Sequence, residues 1–93
     1  IPLGTAIMSY YVYLLISSQK KTVISYVGYT NDIIKRLNSH NSSRGAKFTK
    51  GRKWVLIYSK RYKSKSKAMK EEYKLKKNYK LRMKIKNNYI FKK

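Results

Sequence analysis

From Tyr10 to Ile16 the chain reads YYVYLLI, almost continuously apolar and rich in β-branched and aromatic residues. A run this short, ended by Ser17, Ser18 and Gln19, predicts a strand covered on both faces. Ser17 to Lys21 is polar and turn-like, and Thr22 to Tyr29 predicts a second strand ending in Tyr26-Val27-Gly28. The short connection makes the pair an antiparallel hairpin. Thr30, Asn31 and Asp32 then offer capping side chains, with Asp32 adding negative charge at the start of a helix. Ile33, Ile34 and Leu37 form that helix's apolar stripe, which runs to about Asn41 and is broken by Ser42-Ser43-Arg44-Gly45. Trp54 to Tyr58 predicts a third strand, and Ser64 to Tyr79 a second helix capped by Ser64 or Ser66. The lysine-rich stretch from Lys80 to Lys86 either extends that helix or forms another. The order ββαβα(α) predicts an α+β fold, an α/β sandwich in which helices flank a small three-stranded antiparallel sheet.

The length, 93 residues, sets this up as one domain. Met8 reads as a natural start, so residues 1–7 are expected to be extraneous or disordered and the domain to span 8–93. No apolar run approaches the roughly 18–20 residues of a membrane span, so no membrane is expected among the partners. Cysteine is absent, which excludes disulfides, thiolate zinc sites and cysteine nucleophiles. The expected location is inside the cell, in cytoplasm or nucleoid if the source is bacterial.

Charge changes the picture most. There are 24 Lys and Arg against three acids, a formal charge of +21. Such a surface repels itself and calls for a polyanion, nucleic acid first and an anionic membrane second. Lysine outnumbers arginine. Because lysine meets phosphate as a point charge while base reading leans on bidentate arginine, backbone-led binding with little sequence preference is expected.

Three local features carry candidate chemistry. On the second helix, Ala68, Met69, Tyr73, Leu75 and Tyr79 define one apolar sector at 100° per residue, with Glu72 near its centre and Glu71 toward its rim. A carboxylate among core-facing residues must be paired, protonated or bound to a cation. A lysine salt bridge is the simpler local explanation, and a metal ligand is the functional one. With only Asp32, Glu71 and Glu72 as acidic side chains, a carboxylate-rich two-metal cluster does not fit, whereas one ion with a single carboxylate and several waters does. On the first helix, Arg36 and His40 are i, i+4 neighbours beside the apolar stripe. They read locally as the polar edge of an amphipathic helix, or as a cation and a titratable imidazole facing a phosphate. Finally, there are ten tyrosines, most of them expected in packing and some in stacking on bases. No Walker loop, zinc spacing, nucleotide-binding glycine triad or nucleophile elbow is present.

Taken in order, these residues resemble the GIY-YIG nuclease superfamily. Tyr11-Val12-Tyr13 is similar to the GIY half of its signature and Tyr26-Val27-Gly28 to the YIG half. The segment YVGYTNDIIKRLNSHN places Arg36 and His40 at the family's arginine and histidine-or-tyrosine positions. Gly45-Ala46-Lys47-Phe48-Thr49 followed by Arg52-Lys53-Trp54 resembles the GAK-x-T…PW segment of stand-alone bacterial members and SLX-type structure-specific endonucleases. Ala68 to Lys76 resembles A-L-x-x-E-x-x-x-K, which aligns Glu72 with the metal glutamate. The resemblance covers Tyr10 to about Lys86. Each half-motif is short and weak alone, and their ordered combination is specific. Tyr11 replaces the first glycine of GIY, Lys53 replaces the proline before Trp54, and Tyr29 stands where UvrC-type excision nucleases carry lysine, which argues against a UvrC-like role.

The resemblance implies metal-assisted hydrolysis of DNA with a tyrosine-activated water. In it Tyr26 is expected as general base, with Tyr13 hydrogen-bonding or sharing that role. Arg36 would neutralise the phosphate, His40 would tune a tyrosine or relay its proton, and Glu72 would hold one Mg²⁺ or Mn²⁺. Lys47, Lys35 and Lys76 are expected at phosphates. The expected substrate is DNA, branched or single-stranded, in repair or recombination, and targeting falls to this domain or to a protein partner. Three rival readings are a non-catalytic DNA- or RNA-binding module of the same fold, a ribosomal or architectural protein, and a subunit silent until a partner presents DNA. Oligomeric state is left open.

Overall fold

The computed structural model describes residues 9–19, 22–42 and 44–91. The expected start at Met8 lies outside the described residues, as do Lys20 and Lys21 of the first turn and Ser43 of the helix-breaking segment. The described elements run β1 (Tyr10–Gln19), β2 (Thr22–Thr30), α1 (Ile33–Asn41), a 3₁₀ turn (Lys47–Thr49), β3 (Val55–Tyr62), α2 (Lys65–Lys77) and α3 (Tyr79–Phe91). This is the expected α+β order, with the tail as its own helix.

The three strands pair in the order β2-β1-β3, and both neighbours are antiparallel to β1. The central position explains the continuous apolar run, because Val12 through Ile16 are all buried. β1 continues past the predicted end through Ser17, which is polar yet only 1% exposed. Chain composition marked a turn there, but sheet pairing of Ser17 with Ile24 keeps the strand going.

Alternation along β1 divides the core in two. Val12 and Leu14 pack with Val27, Ala68 and Leu75 beneath α2, while Tyr13 and Leu15 pack with Trp54, Leu37 and Leu56 on the α1 side. A bulge in β3 opposite Leu14/Leu15 leaves Ile57 between the paired residues Leu56 and Tyr58. The extra residue lets Ile57 and Tyr58 both face the α2 side while Leu56 faces the other. Trp54, expected as the first residue of β3, precedes the strand and is 3% exposed.

Helix ends follow side-chain capping. Asp32 Oδ1 accepts from the Lys35 N–H (3.1 Å), and Ser64 Oγ accepts from the Lys67 N–H (3.1 Å). Asn78 separates α2 from α3. Its N–H bonds to the Leu75 carbonyl, ending one helix, and its Oδ1 accepts from the Leu81 N–H at 3.0 Å, starting the next. Arg82 covers the carbonyls of Leu75 and Lys76 at the break. The change of direction at Asn78 also takes Tyr79 off the predicted stripe. In α2 the buried seam is Ala68 and Leu75 alone, with Met69, Tyr73 and Tyr79 exposed at 47%, 58% and 64%. Around a seam so centred, Glu71 and Glu72 lie about 50° to either side, so Glu72 occupies a rim rather than the centre of the stripe.

Candidate active site

Tyr13 on β1 stands directly opposite Gly28 on the edge strand β2. Its ring lies across that glycine. A Cβ at position 28 would collide with the Tyr13 hydroxyl, so the glycine is required for space. Gly45 does the same for His40, since a Cβ there would collide with the imidazole. The two glycines open room for the two side chains that meet between them.

That meeting is a chain of hydrogen bonds. Tyr13 Oη lies 3.0 Å from His40 Nε2, and His40 Nδ1 lies 2.8 Å from Thr49 Oγ1. Thr49 Oγ1 donates its single hydrogen to the Ala46 carbonyl at 2.8 Å, so toward His40 it can act only as an acceptor. The proton of the neutral imidazole therefore sits on Nδ1, and Nε2 is left to accept the Tyr13 O–H. His40 and Thr49 are both 0% exposed, which shields the chain from water. Arg36, one helical turn before His40, donates its Nε–H to the Tyr13 oxygen at 3.4 Å. The i, i+4 pair thus converges on one phenol.

Electrostatics follow from this geometry. Burial pushes the Tyr13 phenol above its ordinary value, and the Arg36 guanidinium opposes that rise without cancelling it. Burial, aided by the Arg36 charge, holds His40 below the usual imidazole value, so it is neutral at pH 7 and its Nε2 is free to accept a hydrogen bond. Tyr26 packs edge-on against His40 (centroids 5.0 Å apart) and 6.5 Å from Tyr13. Arg36 interacts electrostatically with Tyr26 as well as with Tyr13. Arg36 also borders an open cleft of about 380 Å³ lined by Tyr10, Tyr29, Thr30, Asn31 and Lys65, through which an anion can approach it.

The two glutamates part company across α2. Glu71 pairs with Lys67 and Lys74 (3.4 and 3.2 Å) and lines a separate cleft with Tyr58, Tyr62 and Leu81. Glu72 lies near enough to Tyr13 to act on its ionisation, and its ion pair among the described residues is with Lys76 at 3.4 Å. Lys76 is therefore engaged with a carboxylate. Lys47 is exposed at the head of the 3₁₀ turn, two residues from Thr49. Lys35 faces away, bordering an open hollow with Asp32, Ile34, Asn38, Ser39 and Arg44 on the far side of α1. Among the described residues, no three His, Cys, Asp or Glu side chains converge into a metal cage. Glu72 fits a hard cation that takes one carboxylate and completes its shell with water and substrate oxygens.

Sequence reasoning passed over Thr49 and Asn41. Asn41, the last residue of α1, accepts from the Trp54 N–H and donates to the Trp54 carbonyl (3.1 Å), closing the loop on itself. The Trp54 indole N–H reaches the Thr49 carbonyl at 2.9 Å. A threonine in a short polar loop gives no sign of burial. The available signal was its fixed place after Gly45 in the segment leading to Trp54.

A tyrosine, an arginine and a histidine joined over a β-hairpin glycine, with a helix glutamate nearby, define the class. Residues 9–86 match the GIY-YIG catalytic domain, and the chain belongs to that nuclease family. Within it, the chain is similar to stand-alone bacterial UPF0213 proteins. It is 41% identical over 68 residues to one from Oceanobacillus iheyensis, covering 72% of this chain and 76% of that one. It is 39% identical over 83 residues to another from Bacillus velezensis, covering 88% and 78%. The solution NMR structure of a UPF0213 protein from Bacillus halodurans is 33% identical, with 83% and 80% coverage and a TM-score of 0.45. Among the described residues no helix is long and apolar enough to cross a membrane.

Proposed function

We propose that this chain is a metal-dependent DNA endonuclease with little sequence preference, and that Tyr13 is the phenol that activates water. The observation that carries the reading is the relay from Tyr13 through His40 to Thr49. In it the two proton transfers are concerted: as the attacking water gives a proton to Tyr13 Oη, Tyr13 passes its own to His40 Nε2, the acceptor nitrogen that Thr49 keeps unprotonated, so no free phenolate has to form against the raised value of Tyr13. The water oxygen bonds to phosphorus as the leaving oxygen departs, and Arg36 lies beside the phenol oxygen through which the proton passes. Tyr26, which sequence reasoning put first, packs against His40 without a hydrogen bond to it, and is assigned to orienting the water or phosphate. Arg36 offsets the charge that builds on the phosphate oxygens. Glu72 would hold the cation, which when bound supplies positive charge at the leaving oxygen. Lys47 and the exposed lysines of α2 and α3 would track the phosphate backbone.

The test is incubation of the full chain with single-stranded, flap, junction and duplex DNAs, with and without Mn²⁺. Cleavage that needs the cation and is abolished by Glu72→Gln while DNA binding persists supports the reading. Binding without cleavage on every substrate would leave a non-catalytic, basic nucleic-acid-binding module of the same fold.

A further inference from the structure

The 3₁₀ turn Lys47–Thr49 does more than hold His40. Its residues step round by about 120°, so burying Thr49 turns Phe48 out of the protein. Phe48 is 59% exposed. A single exposed apolar residue means little by itself, but this one is held in place. Thr49 anchors the turn through its hydroxyl and its carbonyl, and Phe48 stacks on Tyr26 with centroids 6.1 Å apart and planes 22° apart. Trp54 supports it from the side at 6.3 Å. Tyr26 in turn lies 6.5 Å from Tyr13, so Phe48 continues a row of rings leading outward from the candidate active site. Exposed Lys47 and Lys50 flank it.

We infer that Phe48 is a stacking platform for an unpaired nucleobase beside the phosphate held at Tyr13 and Arg36. This rests on the proposed nuclease reading and adds its substrate class: single-stranded DNA, or the unpaired arm of a branched one. An aromatic face flanked by lysines is the combination that binds single strands without reading sequence. The ring is held before binding, so little freedom is lost when a base lands on it. In a duplex the faces of each base are already covered by its neighbours, so an unpaired or terminal base is the one that fits. The net charge of +21 favours a polyanion over an apolar protein segment as the occupant.

The test measures binding with the cation chelated, so it does not depend on cleavage. Single-stranded oligonucleotides carrying 2-aminopurine at successive positions report stacking by fluorescence quenching, and matched blunt duplexes serve as the comparison. Phe48→Ala should abolish quenching and weaken single-strand binding about 5- to 150-fold, the range of a lost base–aromatic stack, with less than about a two-fold change on duplex. Phe48→Trp should restore both. Phe48→Leu keeps apolar cover for Trp54 and should behave like Phe48→Ala, which carries the test if the alanine variant is poorly folded. An abasic site at the quenched position should make wild type and Phe48→Leu bind alike. Equal losses on single strand and duplex, or wild-type quenching by Phe48→Leu, would overturn the inference. Stacking through Phe48 in a protein that never cleaves DNA would sink the nuclease reading and leave this one standing.

Discussion

Replacing Thr49 with valine keeps the shape of the side chain and removes one oxygen. That oxygen holds two bonds, accepting from His40 Nδ1 and donating to the Ala46 carbonyl. The carbonyl still accepts from the backbone N–H of residue 49 (3.0 Å), but His40 is fully buried and its N–H has no other partner to turn to. Leaving one such donor unpaired costs about 1–3 kcal/mol. In a domain of this size each kcal/mol lowers the melting temperature by roughly 4–8 °C, so a drop of at least about 4 °C is expected. Moving the imidazole proton to Nε2 exchanges the unpaired Nδ1 donor for an unpaired Nδ1 acceptor, so a loss of stability remains. The ring then donates to Tyr13 and can no longer take the phenol's proton. Cleavage should then fall about 100-fold or more, the scale of lost acid–base catalysis. Single-turnover cleavage gives the rate, and ¹⁵N NMR of the His40 ring nitrogens reads the tautomer directly. Thr49→Ser should restore both. A valine variant that melts early yet cuts at the wild-type rate with its proton still on Nδ1 would reduce Thr49 to packing and refute the relay.

Tyr13→Phe should cost at least about 100-fold in cleavage, and Tyr26→Phe should cost less while keeping the His40 tautomer; the reverse order, read in the same kinetics, would return the base to Tyr26. Glu72→Gln should abolish cleavage with DNA affinity intact, whereas Glu71→Ala, on the other flank of the buried seam and lining a separate cleft, should cut nearly normally; equal losses would mean that the site is not where Glu72 lies. His40 is held below its unfolded value of about 6.5, so its contribution to stability is present above that pH and lost as pH falls through the folded value. Melting curves from pH 8 to 5 should show that decline, and His40→Gln should flatten it. Binding to duplex DNA should weaken log-linearly with salt, by about 0.9 in slope per phosphate neutralised, and a shallow slope with strong sequence preference would contradict lysine-led contact.

Strand and helix content was legible because the burial pattern repeats at the periods the backbone imposes. YYVYLLI is continuous since β1 lies between two strands and under two layers of side chains. Arg36 and His40 could be paired from spacing alone, because a helix puts i and i+4 on one flank whatever it packs against. Glu72 was selected for a reason that the structure only half supports. Tyr73, Met69 and Tyr79 are exposed, so the broad apolar sector does not exist, yet the charge of Glu72 acts on Tyr13 while that of Glu71 acts on Tyr62. Periodicity reports distance from a seam. It does not report which of two flanks meets the site, because that depends on where α2 crosses β1 and β2.

The polar partners were less legible for a different reason. Among the described residues, Ser17, His40 and Thr49 are the buried polar side chains, and nothing in their types sets them apart from solvent-facing ones. What identifies them is contact between segments distant in sequence. Tyr13 and His40 are 27 residues apart and His40 and Thr49 are nine. The glycines record those contacts indirectly. Gly28 and Gly45 each stand where a single methyl would strike a member of the relay. A glycine at a fixed offset in such a motif is therefore a negative image of the side chain it admits. Gly28→Ala tests that point: its methyl meets the hydroxyl end of Tyr13, a side chain only 3% exposed. The Tyr13–His40 bond should break with a loss of cleavage close to that of Tyr13→Phe, although position 28 carries no chemistry of its own. Wild-type cleavage by Gly28→Ala would show that the hydroxyl can move away without consequence, and Tyr13 would then not be the base.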